Sequence, residues 1–155
     1  MSINKKIILF FFLFSYLILG IFFSIKVGLS HDEFHEQLNW EFNLALIKNI
    51  LFNVELDSMY QNYMETYHGI FHGIGFHLIS QPLQFLLKNI ILNYENVDNH
   101  AAHLLGKHVA IFFSFFISGI FFYLIIYKIV KNNIFCLFIT TFYLMYPYLL
   151  GHSFF

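Results

Sequence analysis

Apolar residues along this chain fall into three long runs and several short, interrupted ones. Ile7–Ile25, Val109–Tyr127 and Ile134–Leu150 carry almost no polar side chains, and about 20 such residues form a helix able to cross ~30 Å of hydrocarbon. Lysines mark their ends: Lys5, Lys6 and Lys26 flank the first run, and Lys128 and Lys131 sit between the second and third. The third run is the shortest, and Tyr146-Pro147-Tyr148 stands near its end. Aromatic residues suit a membrane–water interface, and proline is tolerated where a transmembrane helix ends.

Residues 26–108 read differently. Phe34, Leu38, Phe42, Ala45, Leu46 and Ile50 recur at helical spacing, which predicts an amphipathic helix over 32–52. Residues 53–67 read as a polar loop. The apolar stretch 78–92 is interrupted by Gln81-Pro82 and Gln84, so it reads as an interfacial or re-entrant helix rather than a lipid-exposed span. A full fourth span there would invert everything after it. The expected fold class is an all-α integral membrane protein with about three transmembrane helices, at 7–25, 109–127 and 134–150, and a long external loop, 26–108, carrying amphipathic helices. Residues 1–155 are expected to form a single N-terminal membrane region, part of a longer polytopic domain.

Composition agrees with that class. Hydrophobic residues make up 59% of the chain and charged residues 11%, against roughly a quarter charged in a soluble domain. The 23 Phe, with many Ile, Asn and Lys, reflect an AT-rich genome more than a mechanism. A cleaved signal peptide is the alternative for the first run, but the run is long and no small-x-small site precedes Ser30, so an uncleaved helix is expected. Lys5, Lys6, Lys128 and Lys131 then lie on the cytoplasmic side. This puts the N-terminus inside and both the long loop and residues 151–155 outside, in a bacterial inner (cell) membrane. Cys136 is the one cysteine, so disulfides and thiolate metal sites are excluded. The net charge of −1 and the lack of a basic patch leave no case for nucleic acid.

All nine acidic residues lie between Asp32 and Asp98, and the stretch opens with His31-Asp32-Glu33-Phe34-His35-Glu36. Unpaired carboxylates are not tolerated in hydrocarbon, so this cluster belongs at or outside the surface. Neighbouring Asp32 and Glu33 diverge by about 100° on a helix and cannot both enter one small site. One can serve as a general base or bind a divalent cation while the other caps or hydrogen-bonds. The plain structural alternative makes Asp32 a helix cap and Glu33 a first-turn charge. Asp32, His35 and Glu36 share a face if the helix starts this early.

Eight of the nine histidines fall between His31 and His108. The pairs His68/His72 and His100/His103 have spacings able to chelate a transition metal, but Gly69, Gly73 and Gly75 disturb the first pair, and no zinc motif is complete. Most of them read as interfacial hydrogen-bonders, and no metal ligand is assigned. Nucleophile elbows and phosphate-binding glycine loops are absent.

The order of features resembles the GT-C glycosyltransferases, most nearly the broad protein mannosyltransferase and aminoarabinose-transferase-like group. The resemblance rests on a first apolar helix followed by Asp32-Glu33 at the start of a long loop. Leu104-Leu105-Gly106-Lys107-His108 resembles the basic approach to that family's next helix, and Tyr146-Pro147-Tyr148-Leu149-Leu150-Gly151-His152-Ser153-Phe154-Phe155 resembles the exit of its third. It covers the whole chain but only the beginning of the family's architecture, which implies an N-terminal fragment that needs further helices or partner subunits. It also implies transfer of a sugar from a polyprenyl-phosphate donor at the outer membrane face. Asp32 or Glu33 would deprotonate an acceptor hydroxyl or help hold a divalent cation; the cofactor itself stays unknown. Lys107, His108 and His152 would meet the donor phosphate. The chain departs from the usual phosphate clamp in having no Arg. Two other readings stand beside this one: a small non-enzymatic membrane protein whose His-rich external loop binds a transition metal, and a structural subunit without chemistry.

Overall fold

The computed structural model describes residues 3–66 and 75–153. Among the described residues the chain is all α, with seven helices and no strand: α1 Ile3–Lys26, α2 His31–Phe52, α3 Ser58–Thr66, α4 Gly75–Glu95, α5 Asn99–Val130, α6 Asn133–Leu144 and α7 Pro147–His152.

Short polar residues set the boundaries. Gly28, at φ 87°, lies in the turn that separates α1 from α2, a conformation cheap only for glycine. Ser30 is the N-cap of α2, and its backbone N–H donates to the Glu33 carboxylate at 2.9 Å, the reciprocal arm of a capping box. Asn53 closes α2 in the left-handed conformation, its N–H donating to Asn49 O at 2.9 Å. Asp98 starts α5 by accepting the Ala101 N–H at 2.7 Å. Lys131, left-handed at φ 55°, ends α5, and Asn132 opens α6 by accepting from Ile134 N and Phe135 N. So short a turn makes α5 and α6 antiparallel neighbours.

Four boundaries differ from those the pattern predicts. The expected polar loop 53–67 contains α3, because Asp57 Oδ1 accepts the Met59 N–H at 3.1 Å and starts a helix. The stretch 78–92 lies within one helix that runs through Pro82; proline removes a donor from the ladder without stopping it. The second apolar run is the later part of a 32-residue helix that begins at Asn99, about 48 Å long at 1.5 Å per residue. The third run, 134–150, is not one helix. It breaks at Tyr146, whose φ −62° and ψ 119° are the extended values forced on a residue before proline. That leaves α6 with 12 residues, about 18 Å, against ~30 Å of hydrocarbon.

The chain divides into two compact units. The first takes in residues 1–28 and 83–155, and in it α5 packs between α1 and α6. Gly20 of α1 faces the Phe112 ring and Gly119 of α5 faces Leu144 of α6, each with no room for a side chain. Tyr16 lies against Phe112 and Phe116, with centroids 5.7 and 6.3 Å away. Its hydroxyl donates to the Leu144 carbonyl at 2.7 Å, an acceptor that the end of α6 leaves unpaired. The second unit, residues 29–82, buries Trp40 and Phe42. Trp40 stacks on His77 with centroids 5.7 Å apart, and Phe42 lies against Tyr60.

A methyl group at Gly20 must displace the Phe112 ring, whereas one at Gly75 meets open space. Gly20→Ala is expected to cost about 1–3 kcal/mol through overpacking and to lower the midpoint of SDS-induced unfolding. Gly75→Ala should leave that midpoint unchanged or raise it.

Candidate functional site

Only Val27, Gly28, Leu29 and Ser30 separate α1 from α2, so the acidic pair sits in the first turn of the helix that directly follows the first apolar one. The carboxylates there favour the positive end of the helix dipole. The two are not equivalent. Glu33 is 5% exposed, and one of its oxygens accepts the Ser30 N–H. That bond satisfies one of the donors a helix start leaves orphaned, so Glu33 holds the start of α2 together. The helix cap expected at Asp32 is supplied by Ser30 instead. Asp32 lies one residue before Glu33, and α2 starts early enough to put Asp32, His35 and Glu36 at i, i+3 and i+4. The Asp32 side chain lies outside the described ones.

Further along the same helix, Glu33, Gln37, Trp40 and Glu41 follow at i, i+4, i+7 and i+8 and form one face. Gln37 is buried, and its amide donates to the Glu41 carboxylate at 3.0 Å. Trp40 continues the face and stacks nearly parallel on His77, which is also buried. Burial, and after it the charges of Glu41 and Asp57, push the Tyr60 phenol above its ordinary range. Sequence reading missed Gln37, Trp40 and His77. Gln37 and Trp40 share helical spacing with Glu33, a signal hidden because a polar position reads as the solvent side, whereas His77 comes from α4 and no spacing links it to α2.

Lys107 and His108 belong to the other unit, side by side on α5, and both are buried. The Nδ1 of His108 lies 3.1 Å from the Ser24 carbonyl. A carbonyl can only accept, so Nδ1 is the donor in this bond. Ser24 in turn donates to Gly20 O at 2.8 Å. Gly106 lets α5 approach the backbone of α4, since a Cβ there would stand 3.3 Å from the Gln84 carbonyl oxygen. His152 is on α7, exposed, with its ring edge-on to Tyr148 at 4.4 Å. Lys107 and His108 thus line a packed helix contact, and His152 stands in the open.

Among the described residues no three His, Cys, Asp or Glu side chains are grouped closely enough to hold a metal ion. His68 and His72 lie outside the described residues, while His100 and His103 occupy the first turns of α5. No protein-family model matches the chain, and neither a curated protein nor a solved structure is similar to it.

Because a capping box accepts Gln as well as Glu at its third position, Glu33→Gln is expected to leave the start of α2 intact. Glu33→Ala should cost about 1 kcal/mol. Hydrogen exchange of the amides near Ser30 reads the difference: faster in the Ala variant, unchanged in the Gln variant.

Proposed function

We propose that this chain is the N-terminal part of an integral-membrane glycosyltransferase that takes a sugar from a polyprenyl-phosphate donor at the outer face, with Asp32 as the base. The observation that carries the reading is that Glu33 is buried and occupied by the capping box. In this reading its neighbour Asp32, at the exit of the first apolar helix, is the carboxylate for chemistry. In the reaction the acceptor hydroxyl gives its proton to Asp32, its oxygen bonds to the anomeric carbon, and the bond from that carbon to the donor phosphate breaks. A positioned carboxylate within hydrogen-bond reach is what such a step requires. Lys107, His108 and His152 are the candidate partners of the phosphate, and His152 is the exposed one.

The membrane part of the reading draws on where the apolar surface lies. Two helices are long and apolar enough to cross a bilayer, over Leu9–Lys26 and within Asn99–Val130, yet only 11% and 28% of their apolar windows are buried. The core helix of a soluble protein would be mostly buried. Phe10, Phe11, Ile18, Leu19 and Phe23 of α1 are all at least half exposed, an apolar surface suited to lipid and costly in water. The contacts of Gly20, Tyr16 and Ser24 with α5 and α6 speak for a retained helix rather than a removable signal. In this reading α1 and α5 span the membrane, and α6 and α7, joined at Tyr146-Pro147, make a broken third crossing.

The test uses the native full-length gene product in membranes supplied with a radiolabelled polyprenyl-phosphate sugar. Asp32→Asn should lower transfer by about 10²–10⁴, the usual worth of a general base, with expression and insertion unchanged. Glu33→Gln should keep most of the activity. Full transfer by Asp32→Asn would rule out the assigned base.

A further inference from the structure

The second unit shows polarity reversed from that of a helix on a watery surface. The first turns of α2 bury Glu33, Gln37 and Asn39, while its last turn and the bend after it expose apolar side chains: Ile50 74%, Leu51 66%, Phe52 72% and Val54 52%. Ile47 adds to the same edge. We propose that this edge, Ile47 to Val54, docks into the headgroup–acyl boundary of the bilayer. The inference rests on the membrane reading above.

Three features select lipid as the occupant. The first is reach: Val27–Ser30 alone joins α1 to α2, and four residues extend at most about 14 Å. On the membrane reading the start of α2 is therefore within reach of the surface into which α1 passes, and the edge meets that surface when α2 runs along it. The second is charge. No carboxylate occurs from Phe42 to Val54, and the one charged residue there is Lys48, which is exposed, so the edge complements anionic headgroups. Glu55 and Asp57, both exposed, follow directly and limit the depth of insertion, because they must stay in water. The third is the backbone. Helix ends normally expose unpaired polar groups that a low-polarity medium penalises. Here the Asn53 N–H is paired with Asn49 O, and the Asn49 side-chain amide donates to Val54 O at 2.8 Å. The exposed end is apolar in most of its side chains, Lys48 and Asn53 apart, and internally satisfied at these backbone groups, which suits it to shallow immersion.

The experiment places a polarity-sensitive fluorophore on single introduced cysteines in the full chain. The protein is reconstituted in phosphatidylcholine vesicles with or without phosphatidylglycerol. Cys136 is buried and stays in place, with unsubstituted protein labelled in parallel as background. Phe52→Cys and Leu51→Cys test the edge, Gln61→Cys samples an exposed site beyond it, and Phe10→Cys tests α1. The expected result is blue-shifted emission at 51 and 52, with most of it lost to headgroup-level spin-labelled lipid, more so with phosphatidylglycerol, while 61 is quenched by aqueous iodide. Quenching of 51 and 52 by iodide alone, with 10 quenched by deep spin labels, would overturn the docking and leave the membrane reading standing. If 10 is not reached by lipid labels either, the membrane reading itself fails. Shielding of 51 and 52 from both quenchers would mean a protein covers the edge, which also overturns the proposal.

Discussion

The close approach of α1 to α5, with α6 on the other side, is the contact on which the first unit depends. It exists because two glycines make room, Gly20 for the ring of Phe112 and Gly119 for Leu144. Tyr16 then spans the junction, its ring on α5 and its hydroxyl on the last carbonyl of α6. Pro147 is part of the same arrangement. It prevents residue 146 from continuing the helix, which frees the Leu144 carbonyl for Tyr16. Small residues, one proline and one hydroxyl thus fix three helices whose outward surfaces are almost entirely apolar and carry little positional information of their own.

Polar groups, few as they are, occupy the inside. His108 bonds to the Ser24 carbonyl, Ser118 meets the Tyr143 hydroxyl at 2.9 Å, and Lys107, Gln84 and Thr140 are buried. The second unit repeats this with Glu33, Gln37, Asn39 and His77. Where the surroundings are apolar, polar contacts rather than exclusion of water distinguish one helix pairing from another.

Helix type and approximate position were legible: α1, α2 and the apolar part of α5 lie where the pattern placed them. The apolar face expected of α2 is not the buried one, since Phe34 and Ile50 are exposed while Glu33, Gln37 and Asn39 are buried. What escaped reading was local chemistry. Asp57 starting α3, Asp98 pulling the start of α5 back to Asn99, and the break at Tyr146 each depend on one residue's hydrogen bond or steric clash rather than on a window of residues. Pro82 misled in the opposite direction, since the helix tolerates it. At the candidate site the acidic pair was visible, but the capping role of Glu33 was not. Ser30-x-x-Glu33 is a recognisable capping box, masked in the sequence by the neighbouring charges Asp32 and Glu36.

Lys26 and Glu95 form an ion pair at 2.8 Å, joining the end of α1 to the end of α4. Between these positions the chain makes one excursion, the second unit, residues 29–82. Loop closure grows only slowly with length, by about 0.6 kcal/mol for each doubling. A longer turn between α2 and α3 would therefore add little closure cost for the helices of the first unit.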